Sequence, residues 1–167
     1  MRVAIVTESF LPSVNGVARS VQRVVDHLEA RGHTALVVAP GRGETDRYSR
    51  TEVVRLRSVP LPMCRDFPVG LPSRQMAETI ERFGADVVHL ASPIAVGAYG
   101  ARVARELALP TVAVFQTDVA GFATQYGFTR ATGVIWRWLR HLHQDVGRTL
   151  APSRPTVADL RRNGIPR

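Results

Sequence analysis

Lysine is missing altogether: the 22 basic residues among the 167 are all arginine. That excludes a P-loop lysine, a Schiff base and a lysine general base. The single cysteine, Cys64, excludes an internal disulfide and a multi-cysteine metal site. No apolar run approaches the roughly 18 residues a membrane helix needs. The chain opens directly on strand-like sequence with no secretory signal, so the cytoplasm is the expected compartment. No GxGxxG follows the first apolar run, which removes the usual dinucleotide fingerprint, and no GxSxG marks a nucleophile elbow. A phosphoacceptor domain would need clustered aspartates and a later lysine, whereas Glu8 stands alone. His27, His33, His89, His141 and His143 lack metal-ligand spacing, and the last two splay on a helix, so no metal site is expected. His89 alternates within a strand and reads as a core or supporting residue.

What is present is a net charge of +8 and 45% hydrophobic residues, enough for one domain with a real core. The charge is uneven. Residues 130–167 hold eight arginines against Asp145 and Asp159, hence 8 − 2 = +6 of the +8. Such a patch suits nucleic acid, an anionic lipid surface or an acidic partner, or is a solvated helical face; with no recognised motif beside it, nucleic acid is the weakest of these and is not expected as a partner.

The stretch RVAIVTESFLPSVNGVARSVQRVVDHLEARG organises the rest. Val3 to Val6 form an apolar run, the pattern of a strand covered on both faces. Val17, Val21, Val24, Val25 and Leu28 then recur at helical spacing on one stripe, and Gly32 suits a left-handed cap. Between them a loop of about nine residues, by the usual βα lengths a long one, ends at Asn15-Gly16. A helix start carries unpaired N–H groups and a partial positive charge, and Gly16 without a Cβ lets a phosphate or sugar approach. The alternative is a plain helix cap and turn. Arg19, one turn in, is the nearest cation.

Further strands are expected at Thr34–Ala39, Val53–Arg57 (apolar and basic in alternation, as near a sheet edge), Asp86–Ala91, Thr111–Phe115 and Thr149–Ala151. Residues 42–51 read as a polar, mobile loop and the four prolines of residues 60–72 as an irregular connection. Helices are expected from Ser73 to Phe83 with Gly84 as terminator, over 94–107 opened by Ser92-Pro93, over 130–148, and from Ser153 to about Asn163. The 130–148 helix would bury Ala131, Val134, Ile135, Trp138, Leu139, Leu142 and Val146 on one face. Alternating strands and helices predict an α/β, Rossmann-like, doubly wound parallel sheet. Its loops TESFLPSVNG, ASPIAVG and QTDVAGFATQYG would converge where strand order reverses, the place such sheets bind ligands.

TESFLPSVNGVARSVQRVVDHLEARGH, DVVHLASPIAVGAYGARVAREL, FQTDVAGFATQYG and LAPSRPTVADLRRNGIP, in this order over nearly the whole chain, resemble the amino-terminal domain of retaining GT-B glycosyltransferases of family four. Within that family the resemblance is to actinobacterial GDP-mannose-dependent α-mannosyltransferases that act on glycolipids. It implies that Asn15, Gly16 and Arg19 face the donor's diphosphate or sugar. It implies that Glu8, Ser92, Thr117 and Tyr126 hold the acceptor, and that Gln116 and Asp118 line the reacting centre. Relatives often have His-Thr-Asp where this chain has Gln116-Thr117-Asp118, so Gln116 would contact the sugar through neutral amide hydrogen bonds. Retention in the family proceeds by front-face attack with the leaving phosphate taking the acceptor proton, so Asp118 would position rather than deprotonate.

The resemblance further implies that residues 1–167 are the acceptor-side half, that a carboxyl-terminal donor domain is its partner, and that this half binds no cofactor. GDP-mannose would be the co-substrate of the full enzyme, which would work at the inner face of the plasma membrane. A second reading is a non-catalytic partner module whose cleft wall associates with another chain or with itself. A third, a nucleotide-sugar epimerase, is opposed by the missing dinucleotide fingerprint.

Overall fold

A computed structural model describes residues 1–41, 46–61, 64–91, 93–116 and 132–165. The leading apolar run becomes β1 (Arg2–Thr7), and the amphipathic stripe becomes α1 (Gly16–Ala30). There follow β2 (Thr34–Pro40), β3 (Asp46–Tyr48), β4 (Thr51–Leu56), β5 (Ser58–Leu61), β6 (Cys64–Gly70), α2 (Arg74–Phe83) and β7 (Val87–Ala91). The chain continues through α3 (Val96–Glu106), β8 (Thr111–Val114), α4 (Thr132–Gln144), β9 (Arg148–Leu150) and α5 (Arg154–Arg162). The seven-stranded sheet has the order β3-β4-β2-β1-β7-β8-β9, parallel throughout except for the antiparallel edge strand β3. This is the expected doubly wound α/β sheet. The chain winds outward from β1 through β2 to β4, then crosses to β7 on the other side of β1, so strand order reverses between β1 and β7.

Alternation along the strands divides the core. Ala4, Val6, Leu36, Val38, Val88 and Leu90 pack with Met76 and Ile80 of α2 and with Ala101, Val103 and Ala104 of α3. Val3, Ile5, Ala35, Val37 and Val53 face the other way, onto Val21 and Val25 of α1. Burying whole β-branched side chains contributes roughly 1.5–3 kcal/mol each, which is why β1 and β2 are apolar on both faces. The terminators act as the sequence predicts. Ser73 Oγ accepts from the Gln75 N–H at 3.2 Å, and Gly84 ends α2 in the left-handed region at φ 63°.

Three expectations need correction. Residues 42–51 are not one loose loop: β3 forms within them and pairs with β4, while 42–45 lie outside the described residues. The proline-bearing connection holds an antiparallel two-stranded ribbon, β5 with β6. Among the described residues the long helix is Thr132–Gln144 and stops short of 148, while residues 130 and 131 lie outside them; Val134, expected in the core, is 56% exposed, the buried helix residues being Leu139, Leu142 and His143. The strand expected near the sheet edge is β4, one strand in from the edge strand β3, and within it Arg55 is buried.

Candidate functional site

At the point where strand order reverses, the carboxyl ends of β1 and β7 lie side by side, Thr7 in register with Ala91. Two helices start there. The loop 8–15 leads from β1 into α1, and residues 92–95 lead from β7 into α3. The two starts are finished differently.

At α1, Asn15 is the cap: its Oδ1 accepts from the Ala18 N–H at 2.9 Å and its Nδ2 donates to Ser9 Oγ at 2.7 Å. Ser9 is held in turn, since Thr7 Oγ1 donates to the Ser9 carbonyl at 2.9 Å. Gly16 is exposed, and a Cβ placed on it would meet no atom within 4 Å. Neither a left-handed backbone nor crowding explains a glycine in the first turn, where alanine is the better helix former. Among the described residues no acceptor meets the Gly16 and Val17 N–H groups. Arg19 lies exposed on the same turn.

At α3 the N-cap residue Ala95 has no capping side chain. Glu8, 2% exposed, reaches across from the first loop instead. Its Oε1 accepts from the Ile94 N–H at 2.7 Å and the Gly97 N–H at 2.9 Å, and its Oε2 from the Val96 N–H at 3.2 Å. Burial pushes the Glu8 carboxyl above the usual carboxylate range, outweighing the backbone donors that pull it down. Gly97 is a packing requirement, because a Cβ there would sit 2.5 Å from Pro93 Cβ. Glu8, expected at the acceptor, thus has both oxygens committed to the backbone, and its observed work is to tie the first loop to α3.

Gln116 follows β8 at the same sheet end and is half-buried, its Nε2 enclosed and, among the described residues, without a hydrogen-bond partner. An enclosed amide donor costs about 1–3 kcal/mol if left unpaired, so it is a group available to a ligand. Beside it the Phe115 ring stacks on Trp136 at 6.2 Å and meets the His143 ring edge-on at 6.2 Å. His143 Nδ1 lies 2.9 Å from Thr149 Oγ1, and burial lowers its pKa to about 4. His89 is lowered to about 4 by the same cause, in keeping with a supporting role. Ser92, Thr117, Asp118 and Tyr126 lie outside the described residues. Of the expected site, the structure therefore brings the loop bearing Glu8, Asn15 and Gly16 against the start of α3 and sets Gln116 at the same sheet end.

Sequence reasoning missed Thr7, Ser9 and Arg55, which brace the first loop from below. Thr7 and Ser9 flank Glu8 in a polar TES triplet that could have drawn notice; Arg55 gave no signal beyond alternation. Among the described residues no group of histidine, cysteine and acidic side chains could hold a metal, and no helix is long and apolar enough to cross a membrane. Of the arginines in the basic region, Arg137, Arg140, Arg148, Arg154, Arg161 and Arg162 are exposed.

The model described as "Glycosyltransferase Family 4" matches residues 14–167. Curated GDP-mannose-dependent α-mannosyltransferases of Mycobacterium tuberculosis and Mycolicibacterium smegmatis are 50% and 49% identical over 100% of this chain and 46% of theirs. A sulfoquinovosyl transferase of Arabidopsis thaliana is 30% identical over 95% of this chain and 32% of its own. The chain thus spans less than half the length of the curated relatives it matches. Among solved structures, Anabaena HepE in complex with UDP superposes with a TM-score of 0.64 at 14% identity, over 98% of this chain and 41% of that one. A UDP-GlcNAc 2-epimerase from Methanocaldococcus jannaschii superposes with a TM-score of 0.55 at 13% identity, over 99% of this chain and 43% of that one. At such identities the likeness establishes the fold alone and favours neither activity.

Proposed function

The chain belongs to glycosyltransferase family 4, and from that premise we propose that it is the acceptor-side half of a retaining GDP-mannose-dependent α-mannosyltransferase. The observation that carries this is the open start of α1. Exposed Gly16 has open space where a Cβ would be, and among the described residues its N–H and that of Val17 are unpaired at the positive end of a 15-residue helix, where strand order reverses. A diphosphate fits that chemistry, and the sequence relatives are mannosyltransferases that depend on GDP-mannose. With no lysine in the chain, the wall it offers is made of backbone dipoles and Arg19. A donor-binding domain completes the cleft.

Within that cleft the Gln116 amide, now unpaired, donates to a hydroxyl of the transferred sugar. Because an amide carries no charge at any working pH, this contact orients the sugar without shuttling a proton. Asp118, Thr117, Tyr126 and Ser92 hold the acceptor, a glycolipid or glycan. Glu8 acts from behind, fixing the first loop that bears Asn15 against the start of α3. The leaving phosphate takes the acceptor proton in a front-face substitution, so no side chain here is required as a base. The exposed arginines of α4 and α5 provide a surface for anionic lipid headgroups, each worth on the order of 1 kcal/mol at such a surface.

The test is a fusion of residues 1–167 to the remaining part of the M. smegmatis relative, supplied with radiolabelled GDP-mannose and a lipid extract. The fusion should transfer label, and the 167-residue chain alone should not. Transfer by the chain alone would overturn the half-site reading. A folded fusion that transfers nothing would favour the partner-module reading instead.

A further inference from the structure

Arg55 lies on β4 level with Ala39 of β2, at the cleft end of the sheet, on the face that carries Val53 and α1. Its side chain is only 6% exposed. A buried guanidinium is costly where methionine would pack, so it needs an acceptor that justifies it. Its Nη2 donates to the carbonyl oxygen of Leu11, in the middle of the first loop. The neighbouring loop carbonyls are served locally: Ser9 O by Thr7 Oγ1, and Phe10 O by the Ser13 N–H at 3.2 Å. Among the described residues Arg55 is the donor that meets Leu11 O, and no backbone N–H does.

The surroundings are shaped for this contact. Gly41 leaves room for the arginine stem, since a Cβ there would lie 3.2 Å from Arg55 Cδ. The Phe10 ring meets Tyr48 of β3 edge-on at 5.7 Å, so the same edge hairpin grips the loop at two successive residues. Asp46, 65% exposed, stands 3.6 Å from Arg55 Nη2 and adds little, as exposed partners do.

We propose that Arg55 is a positioning residue that latches the first loop to the β3–β4 hairpin and thereby fixes Asn15 and Gly16 before any ligand arrives. The loop is then pinned on three sides: to α3 through Glu8, to α1 through Ser9 and Asn15, and to the sheet edge through Arg55. It is a rigid wall rather than a closing lid. The latch itself stands on this geometry; its consequence for transfer rests on the function proposed above.

The experiment is amide hydrogen exchange on the 167-residue chain, comparing wild type with Arg55→Met, Arg55→Lys and Asp46→Asn. Losing a hydrogen bond to a charged donor should speed exchange of the Ser9, Phe10 and Ser13 amides by about tenfold to a hundredfold. Amides of β1 and β2 should stay unchanged, Arg55→Lys should fall between, and Asp46→Asn should match wild type. Loop exchange within about twofold of wild type in Arg55→Met, or an equal rise in the core strands, overturns the latch. If Arg55→Met does not fold, Arg55→Lys decides: wild-type loop exchange in it overturns the proposal, and selective loop acceleration supports it. In the fusion, Arg55→Met should also lower kcat/KM for GDP-mannose by about tenfold, with partial rescue by lysine. A wild-type fusion without transfer would sink the functional reading and leave the exchange result to judge the latch.

Discussion

Two helices, α1 and α3, begin within the same end of the sheet, on either side of the point where strand order reverses, and they are treated in opposite ways. The start of α3 is filled from inside by Glu8, whose two oxygens accept three backbone N–H groups. The start of α1 has a neutral Asn15 cap, an exposed Gly16 and free space beyond. Both ends carry the same partial positive charge. The difference teaches that one anion-attracting end is taken up by the architecture while the other is not, which is why the proposed donor contact is placed at α1.

The strongest way to break this contrast is Glu8→Ala. It strips three N–H groups, two of them in buried bonds, of their acceptor and opens a cavity, so urea denaturation should show a loss of about 3 kcal/mol or more. A loss below about 1 kcal/mol would mean that α3 does not depend on Glu8.

Acid titration sharpens the same point. The folded-state pKa of Glu8 is raised, so its protonated form is favoured by folding. Its contribution to stability is complete below about pH 4.5 and is lost as pH rises through the raised value, by at most about 1.4 kcal/mol per unit. Glu8→Gln should abolish that slope, and the stability difference between the two proteins should narrow upward through this window. His89 and His143, lowered to about 4, act oppositely: their contribution is complete above about pH 6.5 and falls as pH drops toward 4. They are present in both proteins and cancel in the difference.

At α1 the effects on stability should be smaller. Asn15→Ala removes a cap and should cost about 1 kcal/mol by chemical denaturation. Smallest is Gly16→Ala, which has room and an ordinary backbone and should raise stability by a few tenths of a kcal/mol. The same change should weaken GDP-mannose use by the fusion by about tenfold or more. A Gly16→Ala protein that is more stable and fully active would remove the ligand reading of that glycine.

The strands and caps were legible because their causes are local. Apolar runs marked β1, β2, β7 and β8, and Ser73, Gly84 and Ser153 stand where their backbone chemistry requires. The ribbon β5–β6 was not legible, since four prolines argue against strand in isolation, while a two-stranded ribbon, each strand of which is an edge, accommodates Pro60 and Pro68. Nor was the burial of Arg55, because alternation cannot say whether another strand will cover an edge. Nor were the contacts of Glu8 legible, since its partners Ile94, Val96 and Gly97 lie more than 80 residues away.

The sequence alone determined the doubly wound sheet, the strand–loop–helix unit at its head, the glycine at the start of α1 and membership of a family, because periodicity, capping and motif order are written residue by residue. The tertiary structure decided which helix start is open. That choice hangs on a buried carboxylate crossing from one loop to another helix and on an arginine reaching from the sheet edge. Such contacts exist only once β1, β4 and β7 have been brought together, and no local pattern encodes them.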